Sequence, residues 1–152
     1  MSSLDPPIVY LDTSALGRLT DPDPRLLLQA VQVDRIVAAC VSGRLRLLVS
    51  EILAIEVRRA RSEAVRATSG GVLAIAWAAV PLAPTRNRAA RLVGIGLRTA
   101  DALHIAAAYT GDATYAVSCD DHWVRRAARV AALLGPGPAI VTPEECARRE
   151  GL

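Results

Sequence analysis

Five short apolar runs, at residues 8–11, 45–49, 79–82, 114–118 and 139–141, recur along this chain with helix-period segments between them. That alternation is the strongest constraint on what the chain can fold into. A strand buried on both faces reads as a continuous apolar run, and parallel strands need a crossover that a helix supplies. The pattern therefore predicts a parallel three-layer α/β sandwich, built as a single domain over residues 1–152. Helices are expected to begin near Ser14 and to cover residues 26–41, 52 to about 68, 72–78, 86–93, 102–109 and 122–134. A short terminal helix should open at Pro143. Ser50 is the expected cap of the helix from residue 52, and Gly70-Gly71 are expected to break or kink the chain before residue 72.

Composition narrows the class of protein further. More than half of the 152 residues are apolar, which excludes a disordered chain, and with no Phe the core must be Leu, Val, Ile and Ala. The N-terminus MSSLDPP lacks the basic start and apolar run of a secretory leader. The longest apolar stretch, residues 72–83, is interrupted by Pro81 and is too short to span a bilayer. Cys40, Cys119 and Cys146 are odd in number and far apart, so reduced thiols in a cytoplasmic protein without membrane association are the expectation.

All 18 basic residues are Arg. Between Val57 and Arg98 stand eight of them against the single acid Glu63, a local charge of +7, while the rest of the chain carries −4. A basic middle beside an acidic remainder suits a polyanionic partner, although a solvated helix face would also account for it.

In IVYLDTSAL, an apolar strand runs straight into Asp12, Thr13 and Ser14. Open α/β sheets place their ligand sites at the carboxyl ends of strands, yet on this stretch alone Asp12 is equally a helix cap. Three further acids share the oddity. Glu56, in SEILAIEV, borders an apolar helical stripe, though it stands near enough to pair with Arg59. Asp101, in RTADALHIAAA, opens a helix whose same side continues with Ile105 and Ala108. Asp120, in VSCDDHW, follows a buried strand as Asp12 does. Each alone is an ordinary first-turn or surface acid; four in one chain are not.

If the strands before Asp12 and Asp120 are neighbours, those two acids meet at one sheet edge near two helix starts. Four converging carboxylates repel, and a hard divalent cation removes that repulsion. Oxygen ligands without Cys or His select Mg²⁺ or Mn²⁺. Such an ion, next to an Arg-rich segment, describes a metal-dependent phosphodiesterase acting on nucleic acid.

Taken in order, these stretches and the closing IVTPEE resemble the PIN-domain ribonucleases, most closely the VapC-type toxins of bacterial toxin–antitoxin pairs. The resemblance covers nearly the whole chain. It implies a PIN-like three-layer α/β/α sandwich with a central, mostly parallel sheet, and an endoribonuclease dependent on Mg²⁺ or Mn²⁺. By similarity Asp12, Glu56, Asp101 and Asp120 match the acidic quartet, and Thr13 and Ser14 match the hydroxyls beside the first acid. Ser118 stands where the family usually has Thr, which keeps the hydroxyl. Asp121 adjoins Asp120 and could share its role. A cognate antitoxin and a homodimer follow from the same resemblance, with the apolar stretch 72–79 and Trp77 as a candidate interface.

Arg86, Arg88 and Arg91 are the expected RNA-binding cations. His104 reads as a core or supporting histidine rather than a general base, Trp123 as a core anchor, and Tyr10, Tyr109 and Tyr115 as packing residues. Receiver domains and haloacid-dehalogenase-type phosphatases also put Asp after a first strand, but both generally need a Lys, and no Lys is present. Walker-type nucleotide binding fails for want of GK[ST]. The remaining rival is a catalytically silent PIN-like module that binds RNA or a protein.

Overall fold

The computed structural model describes residues 4–152. Strands β1 (Ile8–Leu11), β2 (Arg46–Ser50), β3 (Ala78–Val80), β4 (Tyr115–Val117) and β5 (Ala139–Val141) form one all-parallel sheet in the order β3-β2-β1-β4-β5. Eight helices flank it: α1 (Thr13–Gly17), α2 (Leu27–Val41), α3 (Glu51–Arg59), α4 (Glu63–Leu73), α5 (Arg86–Gly94), α6 (Thr99–Thr110), α7 (Asp121–Leu134) and α8 (Pro143–Glu150). The expected three-layer α/β/α sandwich is what the chain forms. No helix among the described residues is long and apolar enough to cross a membrane.

The pleat of β1 divides the core. Val9 and Leu11 point into a cluster with Leu47, Val49 and Val117, covered by Val33 and Ile36 of α2, Leu53 and Val57 of α3 and Cys146 of α8. Tyr10 points the other way, with Leu48 and Ala116, into a cluster covered by Leu92, Ile105, Trp123 and Val130 of α5, α6 and α7. Each fully buried Leu or Ile contributes about 1.5–3 kcal/mol. Most of the buried residues of α6 are small: Ala102, Ala106, Ala107 and Ala108 are all fully buried. Their methyl groups let the helix lie close to the strands, which is why a helix that carries chemistry at its start is so rich in Ala.

The order of strands reverses direction between β1 and β4. The first three strands build outward on one side and the last two on the other, so a crevice opens at the carboxyl ends where β1 and β4 part. Asp12 leaves β1 and Ser118 leaves β4 at that crevice. The neighbouring of these two strands, on which the sequence argument depended, holds with Val9, Tyr10 and Leu11 opposite Tyr115, Ala116 and Val117.

Four expectations are corrected. The helix foreseen over residues 52 to about 68 is two helices, broken at Ala60, whose extended backbone (ψ 137°) ends α3. Ser62 then accepts the Val65 N–H as a new cap, with Glu63 in the first turn of α4. Gly70-Gly71 break nothing, because α4 runs through both to Leu73, and residues 74–77 form a turn into β3 rather than a helix. Strand β3 also stops at Val80, before Pro81, which has no N–H for the ladder.

A Cβ built on Gly70 or Gly71 meets nothing within 4 Å. Replacing either by Ala should therefore raise unfolding stability by about 0.5–1 kcal/mol, read by urea denaturation, through loss of backbone entropy in the unfolded chain. A loss of stability would mean that the pair serves as a kink.

Candidate active site

The first acid is fixed by the last rung of the β1–β4 ladder, where the Asp12 N–H donates to the Val117 carbonyl at 3.1 Å. Its carboxylate Oδ1 accepts the Ala15 N–H at 2.8 Å, so Asp12 does cap α1. A cap normally lies in water, whereas Asp12 is 4 % exposed. Ser14 Oγ reaches both carboxylate oxygens (2.7 and 2.9 Å) and Ser118 Oγ donates to Oδ2 at 2.6 Å. Ser118 Oγ accepts the Asp120 N–H at 3.0 Å, and Ser14 Oγ accepts the Cys119 N–H at 3.1 Å. Two hydroxyls thus stitch the turn after β1 to the turn after β4. Asp120 is joined to this network through its backbone and caps α7 by accepting the His122 N–H (2.9 Å). Asp121 sits exposed in the first turn of α7.

Glu56, on α3, approaches from the other side. Thr13 Oγ1 donates to its Oε2, and His104 Nε2 lies 2.8 Å from the same oxygen. His104 is 3 % exposed, its Nδ1 stands 2.6 Å from the Tyr10 hydroxyl, and that hydroxyl stands 2.7 Å from Ser50 Oγ. An ionised carboxylate can only accept, so a neutral His104 carries its proton on Nε2. Tyr10 then donates to Nδ1 and accepts from Ser50. Burial raises the Tyr10 phenol above its ordinary value, which keeps that proton in place.

Asp101 stands in the first turn of α6, and its Oδ1 accepts the indole N–H of Trp123 at 3.2 Å. The rings of Tyr10, His104 and Trp123 follow one another with centroids 5.9 and 6.2 Å apart. Two of the three end on an acid, His104 on Glu56 and Trp123 on Asp101. His104 is therefore the supporting histidine that the sequence suggests, and Ser50 caps α3 as expected by accepting the Leu53 N–H, while the polar roles of Tyr10 and Trp123 and the Ser50 bond to Tyr10 are ones that sequence reasoning missed. The clue for Tyr10 and Ser50 was register: Tyr10 pairs with Leu48 across the β1–β2 ladder, and Ser50 lies two residues further along on the same face.

The expected RNA-binding arginines lie elsewhere. Arg88 donates to Thr110 Oγ1 (3.1 Å) and Arg91 to the Leu133 carbonyl (2.8 Å). Those partners are at the carboxyl ends of α6 and α7, the ends opposite Asp101 and Asp120. Arg86 is exposed at the start of α5. The three cysteines are unpaired thiols, and burial pushes Cys40 and Cys146 up to about 12 and Cys119 up to about 11.

The electrostatics of the two best-enclosed acids have opposite sign. Burial raises Asp12 above the ordinary Asp value, and bonds from Ser118, Ala15 and Ser14 only partly offset it. Burial would raise Glu56 too, but the hydrogen bonds from His104 and Thr13 outweigh it, so Glu56 is lowered. Asp12 is thus a buried carboxylate held mainly by neutral donors, a costly arrangement unless a cation comes to it. All four acids offer hard oxygen ligands of the kind Mg²⁺ and Mn²⁺ take. Their present spacing is open, since among the described residues no three His, Cys, Asp or Glu side chains are placed to hold a metal ion.

An all-parallel sheet with Asp12 and Asp120 at its switch point is an α/β architecture that opens its crevice at the strand ends. The family model described as PIN domain matches residues 9–130, and the chain belongs to the PIN domain family. PIN domains are generally nucleases and typically use divalent metal ions. No curated protein matches the chain.

The opposite shifts give a paired prediction for the protein in EDTA. A raised carboxyl in the folded state contributes stability below its unfolded value and loses it as pH rises. At pH 7 Asp12→Asn should therefore melt level with or above wild type, and this gain should fade on acidification. A lowered carboxyl contributes above its unfolded value and loses it as pH falls, so Glu56→Gln should melt lower at pH 7, with the deficit fading in acid. Melts in which both variants lose stability alike at pH 7 would contradict these environments.

Proposed function

We propose that this protein is a Mg²⁺- or Mn²⁺-dependent endoribonuclease that hydrolyses RNA phosphodiester bonds. The observation that carries the reading is Asp12, a nearly fully buried carboxylate at the carboxyl end of a central strand, ringed by hydroxyls rather than apolar packing. Asp12, Glu56, Asp101 and Asp120 are the residues that would hold the cation. When bound, a divalent ion polarises the phosphoryl oxygens and lowers the pKa of a water.

The chain's own residues do the rest. Ser14 and Ser118 orient the Asp12 carboxylate, and Thr13 with His104 holds Glu56 in one rotamer. Trp123 orients Asp101 through the bond to its Oδ1. Of the three hydroxyls, those of Thr13 and Ser14 are the candidates to hydrogen-bond a phosphate or water beside the acids, because Ser118 is fully buried and committed to Asp12 and the Asp120 N–H. Because α6 is 12 residues long, about 18 Å, Arg86, Arg88 and Arg91 would touch the RNA several nucleotides away and contribute affinity rather than chemistry.

Resemblance to VapC-type toxins further supports a toxin neutralised by a cognate antitoxin, and a homodimer, for which light scattering supplies the mass. In the stretch 72–79, Ile75 and Trp77 stand exposed beside the edge strand β3, with the Arg46 guanidinium 4.9 Å over the Trp77 ring, while Val72 is buried. The rival, a silent binding module, differs in a single readout. Purified protein should cleave RNA with Mg²⁺ or Mn²⁺ and not with EDTA, and reversing Arg86, Arg88 and Arg91 to Glu should raise KM and spare kcat. Equal cleavage in EDTA, or none with either metal, would reject the metal-dependent mechanism.

A further inference from the structure

Beside Asp101 a cavity of about 110 Å³ opens between the α5–α6 turn and the first turns of α6 and α7. Its floor is apolar, formed by Leu97, Ile105 and Trp123, all of them buried. Its rim carries the guanidinium groups of Arg98 and Arg126, with His122 and Asp101 beside them. At roughly 30 Å³ per water molecule the space holds three or four waters, which is the scale of one planar ring and far below a whole nucleotide.

The two arginines stand differently. Arg126 is committed, donating through one nitrogen to the Gly96 carbonyl at 2.6 Å. It thereby ties α7 to the turn, which Gly96 shapes with φ +99°, a conformation that side-chain-bearing residues rarely adopt. The Arg98 guanidinium has no hydrogen-bond or ion-pair partner among the described residues. It also occupies the cap position of α6 without capping it, so the first N–H groups of that helix add positive potential at the same mouth. None of these groups serves the network that holds Asp12 and Glu56.

We infer that this cavity is a subsite for one unpaired nucleotide of the RNA, the base entering against Leu97, Ile105 and Trp123 while the phosphate sits on Arg98 and Arg126. The assignment rests on the nuclease reading for its ligand class. It gives a reason for selecting single-stranded or extruded nucleotides, because a base held in a duplex cannot reach the floor. Trp123 is 1 % exposed and has no free face, so the base is held by enclosure instead of stacking.

The test is equilibrium binding by fluorescence anisotropy in EDTA, where metal and cleavage play no part. The probes are a short labelled oligouridylate and an abasic ribose-phosphate strand of equal length and charge. Wild type should bind the oligouridylate about tenfold more tightly than the abasic strand. Arg98→Ala should weaken both and flatten the salt dependence by about 0.7 log units, the slope of one phosphate contact on a single strand. Arg98 is exposed, so this variant should melt as wild type does. Equal binding of the two strands by wild type, or an unchanged salt slope in Arg98→Ala, overturns the subsite. Cleavage that persists alongside either result would leave the nuclease reading standing. Both binding effects without any metal-dependent cleavage would reject the nuclease reading and keep the subsite.

Discussion

The site depends on the pairing of β1 with β4. Through three residue pairs and the Asp12 N–H to Val117 bond, that ladder sets the turn carrying Thr13 and Ser14 against the turn carrying Ser118 and Asp120. A slip of one residue would send Tyr10 to the α2 side and Asp12 out of register with Ser118. The alternation of Val9, Tyr10 and Leu11 between two apolar clusters guards against such a slip, because either face would then lose its packing. Core packing and site geometry are therefore enforced by the same few residues.

From that ladder two further supports reach outward. Tyr10 lies on the face that meets α6 and can hand a hydrogen bond to His104, which positions Glu56 of α3. Trp123, on α7, fills the same core and ends on Asp101 of α6. Asp12 at the end of β1, Glu56 of α3 and Asp101 of α6 are thus oriented in part by Ser118, His104 and Trp123, which are themselves 3 % exposed or less. Rigid elements and buried supporting side chains are what a site needs if its charged groups are to be held against their own repulsion.

Much of this was legible in the chain. Apolar runs of strand length between helix-period segments gave the layers, and the acid following each of two such runs gave the crevice, because strand ends are where a parallel sheet exposes its ligands. What was not legible has physical causes. The break at Ala60 came from capping by Ser62, a local signal weaker than the Gly70-Gly71 pair that drew attention and then proved compatible with helix. The hydrogen bonds of Tyr10, Ser50 and Trp123 join residues far apart in sequence, so no periodicity encodes them. The arginines of α5 form a conspicuous cluster in one dimension, yet in space Arg88 and Arg91 serve the far ends of α6 and α7. Arg98 and Arg126, unremarkable in the sequence, are the cations that line the cavity beside Asp101.

The proposed chemistry requires that Asp12, Glu56, Asp101 and Asp120 bind divalent cation. Calorimetric titration of Mn²⁺ into wild type, Asp12→Asn, Asp101→Asn and Asp120→Asn tests it most directly, with thermal melts to confirm folding. Wild type should bind saturably, and each folded variant should lose more affinity than the roughly tenfold to hundredfold typical of a supporting residue. A wild type that takes up no Mn²⁺, or folded variants that bind it as wild type does, would contradict the account.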